Sequence, residues 1–194
     1  MRDFSGSIYF ELSILSMLAA IPTALGYVTG PISHAINSFS ELIFIHIPVG
    51  FILVAYSILL ARLIVNRLGI GFAEGLIVGL LGAFFHPGGA PFLKLIRDIA
   101  FGVAVDAIIF KSISPSRYRV FIAGALASPL CFIPYLFFAP IWNISASTIY
   151  MVALISVNIG DVIAGIIAAM LAYETYHRVL PLLHFNRQSG ASLR

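Results

Sequence analysis

Residues 84–98 read FFHPGGAPFLKLIRD. One apolar run ends at the phenylalanine pair. A turn of proline, glycine and alanine interrupts it, and a second run opens with Lys94, Arg97 and Asp98. Proline lacks the amide hydrogen and glycine favours no single conformation, so HPGGAP (86–91) divides two elements. Comparable breaks recur on either side. TGPISHAINSFSE (29–41) is polar and carries a Gly-Pro, NRLG (66–69) is a tight charged turn, and SISPSRYR (112–119) is a polar turn. PIWNISAS (140–147) sets a proline before a helix N-cap at Ser145 or Ser147. The runs between these breaks are continuously apolar rather than alternating, which predicts helices and not strands.

The composition says what solvent those helices face. The 194 residues are 60% hydrophobic and 10% charged, with a mean hydropathy of +1.03. Soluble domains carry about 25% charged residues, and a chain of this size cannot hide so much apolar surface in an aqueous core. Six stretches approach or exceed the ~20 residues that cross the hydrocarbon: 7–28, 42–65, 69–86, 93–111, 119–141 and 147–173. The expectation is an all-α polytopic membrane protein in the cell membrane. It is a single domain (1–194) of six transmembrane helices with a flexible tail at 184–194. The first run is too long for the core of a cleavable signal and reads as a span.

The basic residues orient this arrangement. With the N-terminus cytoplasmic, Arg2, Arg62, Arg67, Lys111, Arg117, Arg119, Arg178, Arg187 and Arg194 lie inside, and only Lys94 and Arg97 lie outside. Such an asymmetry is the positive-inside pattern; an even number of spans also returns the C-terminus to the cytoplasm. The net charge of +3 and pI near 9.2 do not imply nucleic acid, because the basic residues punctuate apolar runs. The single cysteine, Cys131, excludes an internal disulfide and reads as a packing residue.

Lys94 and Arg97 have two readings. They snorkel to the interface, with Asp98 pairing to Lys94 at i, i+4, or they line an outward-facing pocket for an anionic or strongly polar ligand. Other polar groups gather at the same end: His34, Asn37 and Glu41 in the first outer loop, His46, His86, Trp142, Asn143, Tyr150 and, deeper, Asn158. Trp142 and Tyr150 also suit an interfacial aromatic belt. His34, His46, His86 and Glu41 are ligand types for a transition metal, but no tight H-x₃-H spacing supports one, so no metal or other cofactor is expected. The loop 29–41 is the longest between spans and is a candidate lid.

Three acids fall inside spans: Glu74, Asp106 and Asp161. Counting residues along each helix places all three roughly 20 Å from the outer surface. An acid at that depth must face protein or water and is a functional candidate. Lys111 or Arg67 are possible counter-charges for Glu74 and Asp106, whereas Asp161 has no evident partner. SVNIGDVIAG (156–165) resembles the Gly-Asp segment of intramembrane aspartyl proteases, whose paired aspartates activate water. It departs from their G-x-G-D pattern at Asn158, and Val105 precedes Asp106 where that family has tyrosine. No G-x-S-x-G and no P-loop occurs. The chain is expected to bind rather than to catalyse.

Small residues form two stripes: Ser13, Ser16, Ala20 and Ala24 on the first span, and Gly160, Ala164, Ala168 and Ala172 on the sixth. Such stripes let helices approach closely in lipid. They serve packing within the bundle or docking to another membrane subunit.

Six spans in under 200 residues, an A-x-x-x-A face on the first span (Ala20, Ala24) and a long first outer loop together resemble the substrate-binding S component of energy-coupling factor (ECF) transporters. The resemblance is one of topology over nearly the whole chain. It implies capture of a vitamin, a precursor or a related micronutrient at the outer side, with a separate membrane T component and two ATPase subunits supplying the work. It implies a pocket built from His34, Asn37, Arg97, Asp98, Trp142, Asn143, Tyr150 and Asn158, with Lys94 or Arg97 meeting an acidic or phosphorylated part of the ligand. Ala20 and Ala24 would dock the T component. HIPVGF (46–51) is similar to the N-terminal HIPDGF of metal-specific relatives, but His46 is internal here. A different reading of the same spans is a self-contained ion- or proton-coupled transporter or channel using Asp106 and Asp161. A purely structural subunit is a further one.

Overall fold

The computed structural model describes residues 4–40, 48–85, 91–110, 115–131, 133 and 148–191. Among them there are six helices and no strand: α1 (Phe4–Ser40), α2 (Val49–Val65), α3 (Ile70–Phe85), α4 (Pro91–Ile108), α5 (Arg117–Leu130) and α6 (Thr148–Ala191). The all-α expectation holds. Among the described residues two helical stretches, Ile8–Gly26 and Ile159–Val179, are long and apolar enough to cross a membrane; Val49–Val65 and Ile70–Phe85 are apolar but shorter.

The helices are arranged around α2. It touches each of the other five, and α1, α3, α4, α5 and α6 adjoin one another in that order around it. Its sequence suits the centre: Phe51, Val54, Ala55 and every residue from Ser57 to Leu63 are buried. The turn from α2 to α3 has the character NRLG implies. Asn66 adopts φ 49° and Gly69 φ 90°, the left-handed region that asparagine and glycine tolerate best.

Two boundaries differ from those read in the sequence. The 29–41 segment, expected as a loop and lid, continues α1 as helix to Ser40, with Pro22 and Pro31 inside the helix. The hydroxyls of Thr23 and Thr29 donate to the carbonyls of Ala19 (2.9 Å) and Gly26 (3.4 Å). Likewise, residues 184–191 of the expected flexible tail continue α6 as helix. Polar residues alone do not stop a helix, and Gly190 comes only at its end.

On α5 and α6, residue size is distributed in reverse of a soluble core. On α6, Ala164, Ala168, Ala169 and Ala172 are fully buried, whereas Ile159, Ile163, Ile167, Met170 and Leu171 are exposed. On α5, Ala123 and Ala127 are inside, and Ile122, Leu126 and Leu130 are outside. In water this would forfeit about 25 cal/mol for each Å² of apolar surface left uncovered. In lipid there is no such cost, and small residues inside let backbones pack closely.

Two seams show that closeness. Along α3, Gly71, Gly75, Gly79 and Gly82 recur on one face and meet α4. A Cβ built on Gly71 would lie 2.5 Å from the Gly102 carbonyl oxygen. Between α5 and α6, Gly124 and Gly165 abut, so that a Cβ on either would strike the other's carbonyl oxygen. The α3 seam has a plain sequence signal, G-x-x-x-G-x-x-x-G, which the stripes of α1 and α6 overshadow.

Candidate functional site

The charged residues inside the bundle fall into two groups. The lower group joins α2, α3 and α4. Arg62 approaches Asp106 at 2.9 Å (Nε to Oδ1), with both side chains almost wholly buried. The Nε–H is not aligned on that oxygen, so the contact is Coulombic rather than a directed hydrogen bond. Asp106 Oδ2 accepts from the backbone N–H of Phe72 at 3.0 Å. That amide is among the first donors of α3 and has no partner inside its own helix. Arg62 also donates to Asn66 Oδ1 at 3.2 Å. Asp106 therefore has its charge matched and one orphan donor satisfied. Its partner is Arg62 and not Arg67, and Lys111 lies outside the described residues. Arg67 instead forms a forked pair with Glu11 at 2.7 and 3.0 Å. Arg62, read as an inner anchor, turns into the bundle because α2 is its central helix.

The upper group is carried by α4 and α6. Arg97 contacts Asp98 at 3.3 Å (Nε to Oδ1), and Asp98 is fully buried. The Arg97 guanidinium stands over the Phe51 ring, 4.8 Å from its centroid. Phe51 is in turn edge-on to Phe101 at 5.3 Å. Arg97 thus points inward instead of snorkelling, held by a carboxylate and an aromatic face. Lys94, one turn nearer the start of α4, lies along the glycine seam: a Cβ on Gly82 would be 3.0 Å from its Nζ. Asp98 is paired closely with Arg97, and Lys94 acts on it at longer range.

Asp161 belongs to this upper group. It is fully buried on α6, and its electrostatic neighbours are Arg97 and Asp98. Cys131, at the end of α5, lies in the field of the same three residues and donates its thiol to the Ser128 carbonyl at 2.8 Å. Among the described residues neither carboxylate oxygen of Asp161 has a hydrogen-bond partner, and Asp98 Oδ2 has none. Sequence counting set Asp161 level with Asp106. The structure places them in different groups, with Asp106 on Arg62 and Asp161 beside Arg97 and Asp98. Glu74 stands apart on the buried α3 stripe that includes Ile70 and Val78, and both its oxygens are unpartnered.

The other candidates divide by position. Ala20 and Ala24 are exposed on α1, as are Ser13 and Ser16, so that stripe is unused within the chain. Its counterpart on α6 (Gly160, Ala164, Ala168 and Ala172) is buried and serves internal packing. His34 and Asn37 fall on the last turns of α1, and Tyr150 and Asn158 on α6; their side chains lie outside the described residues. Glu41, His46, His86, Trp142 and Asn143 lie outside them altogether. Among the described residues no group of three or more His, Cys, Asp or Glu side chains converges as metal ligands would.

The feature missed in sequence is that Asp161 lies within electrostatic range of Arg97 and Asp98. No spacing rule connects α4 to α6; the signal was only that each carried a charge in an apolar run. No family model, curated protein or solved structure matches the chain.

Proposed function

We propose that this chain is a multi-pass protein of the cell membrane that captures a small polar solute, as the S component of an ECF transporter does. In this reading all six helices lie in the bilayer. A T component and two ATPase subunits, carried on other chains, power release to the inside. The observation that carries the reading is the upper group: Asp98 and Asp161 are withdrawn from solvent beside a half-buried Arg97, yet three of their carboxylate oxygens lack a donor among the described residues. Burying an unmet charge is costly, and a bundle built only for stability would use apolar side chains there. The exposed Ala20–Ala24 face of α1 supports the second half of the reading, because it leaves a smooth surface for another membrane helix.

Native mass spectrometry of the gently solubilised full chain tests this. A stoichiometric, vitamin-sized adduct is expected, and Arg97→Ala should weaken it. No adduct, even after incubation with pooled vitamins and metal salts, would sink the capture reading. A proton-coupled transporter is the second reading, favoured by the unpartnered carboxylates of Glu74 and Asp161. Asp106 fits that role less well, since Arg62 matches its charge. In that case the chain alone, in proteoliposomes, would move protons down a pH gradient.

A further inference from the structure

The seam between α5 and α6 changes character along its length. At mid-height it is closed by backbone and small side chains. A Cβ built on Gly124 would lie 2.8 Å from the Ala169 Cβ, and one on Gly165 would strike the Gly124 carbonyl and the Ser128 hydroxyl. As α5 runs back from Ser128 to Gly124, α6 runs on from Gly165 to Ala169, so the two helices are antiparallel. On α5, Ser128, Gly124, Phe121 and Arg117 share one face; on α6, Gly165, Ala169, Tyr173 and Tyr176 share another. The register of the glycines therefore brings Phe121 and Arg117 alongside Tyr173 and Tyr176, toward the end that the basic residues mark as inner. None of these four is fully buried. The Arg117 guanidinium stands over the Phe121 ring, 5.3 Å from its centroid. His177 is edge-on to Tyr173, with ring centroids 4.4 Å apart.

This end of the seam has positive charge and hydroxyl groups but no acid to meet them. Arg117 is exposed and, among the described residues, forms no ion pair, whereas Glu11 engages Arg67. The first turn of α5 holds no acid. Glu174 of α6 lies on an exposed outward stripe with Leu171 and Arg178, away from the seam. The Tyr173 and Tyr176 hydroxyls have no hydrogen-bond partner among the described residues. Toward mid-membrane the lips of the seam turn apolar. Ala125 continues the line of Phe121 on α5, and Met170 and Ile166 continue that of Tyr173 and His177 on α6. All three are partly or fully exposed. Arginine meets phosphate through paired N–H donors, and tyrosine offers an apolar body with a polar tip. An acidic protein could meet Arg117 but would leave the apolar lips uncovered. An amphiphile with an anionic head fits both parts.

We infer that the inner end of the α5–α6 seam binds an anionic phospholipid, with its phosphate on Arg117 and the tyrosine hydroxyls and an acyl chain along Ala125, Ile166 and Met170. This rests on the membrane half of the proposed function and not on solute capture. Anionic lipid is what the cytoplasmic leaflet supplies.

The test titrates the delipidated full chain in detergent with dioleoyl phosphatidylglycerol or dioleoyl phosphatidylcholine and counts bound lipid by native mass spectrometry. The two lipids share their chains and differ in head-group charge. Phosphatidylglycerol is expected to bind about fivefold or more tightly, the ratio that one arginine beside an anionic head supplies. Arg117→Gln should erase the preference, and Arg117→Lys should keep part of it. Arg119→Gln and Arg178→Gln remove the same charge from faces turned away from the seam and should leave the preference intact. Replacing both tyrosines, Tyr173→Phe with Tyr176→Phe, keeps the rings and should weaken phosphatidylglycerol without affecting phosphatidylcholine. Melting temperatures without lipid show whether each variant is folded, and the tyrosine pair tests the site even if Arg117→Gln is not. Equal binding of the two lipids would overturn the inference, as would equal losses from all three arginine variants, which would show general surface charge. Glycerol phosphate that displaces phosphatidylglycerol at similar concentration would replace the lipid with a free phosphate. A chain that does not float with phosphatidylcholine vesicles would bring down the membrane reading as well; one that floats but shows no preference loses this inference alone.

Discussion

The bundle buries aspartate in two ways. Asp106 has an arginine at 2.9 Å and a backbone N–H at 3.0 Å. Asp161 has neither hydrogen-bond partner nor close counter-ion, although Arg97 and Asp98 are near enough to act on it. Both looked alike as letters in apolar runs. The difference lies in what each leaves undone. Asp106 ties α2, α3 and α4 together and has no demand left for a ligand. Asp161 holds acceptors on α6 that no donor among the described residues meets, which costs stability. A matched buried charge reads as a joint, and an unmatched one as a site.

The sharpest way to break this comparison is to unmatch the joint. Arg62→Met leaves the Asp106 carboxylate without its counter-ion. Removing one partner of a buried pair costs about 3–5 kcal/mol, so the variant should melt far below the parent in detergent. Replacing both, Arg62→Met with Asp106→Leu, should recover most of the loss. The remainder reflects the Phe72 amide, which would lose its acceptor at about 1 kcal/mol. A single variant that melts like the parent would remove the structural role assigned to the pair.

The next effect concerns the seam that brings α4 into place. Gly71→Ala puts a methyl 2.5 Å from the Gly102 carbonyl oxygen, and backbone cannot turn aside as a side chain can. The helices must part, at about 1–3 kcal/mol for an overpacked core. Gly50→Ala is the control, since its added carbon meets only Thr29 Oγ1 at 3.9 Å. Thermal unfolding should separate the two substitutions clearly. Equal melting temperatures would show that α3 and α4 are not in backbone contact.

How far all this was legible depends on the range of the cause. Local causes could be read: the αL Asn66 and Gly69 of NRLG, the all-helical class, and the three acids whose burial demanded comment. Non-local ones could not. Arg62 looked like an inner anchor because sequence shows its distance from a helix end, not that α2 is central. Asp161 looked level with Asp106 because residue counting assumes helices that start together and stand parallel. The segment 29–41 looked like a loop because Gly-Pro breaks helices in water, where freed carbonyls find solvent. In the structure α1 nevertheless continues through Pro31 to Ser40.

The smallest effect on stability is expected where the proposed partner would bind. Ala20 and Ala24 are exposed on α1. Enlarging either to leucine adds bulk where no neighbour in this chain is displaced, and substitutions of that kind stay within about 0.5 kcal/mol. Ala20→Leu and Ala24→Leu should therefore leave melting temperature and solute binding unchanged in the isolated chain. In cells the same variants should lose uptake, because a small-residue face works by letting a second helix come close and leucine holds it off. That split distinguishes the two stripes sharply. Ala168→Leu on α6, buried against its own bundle, should lower stability first and uptake only as a consequence. If Ala20→Leu and Ala24→Leu keep full uptake, the exposed stripe is plain lipid-facing surface, and the coupling half of the proposed function falls while the binding half stands.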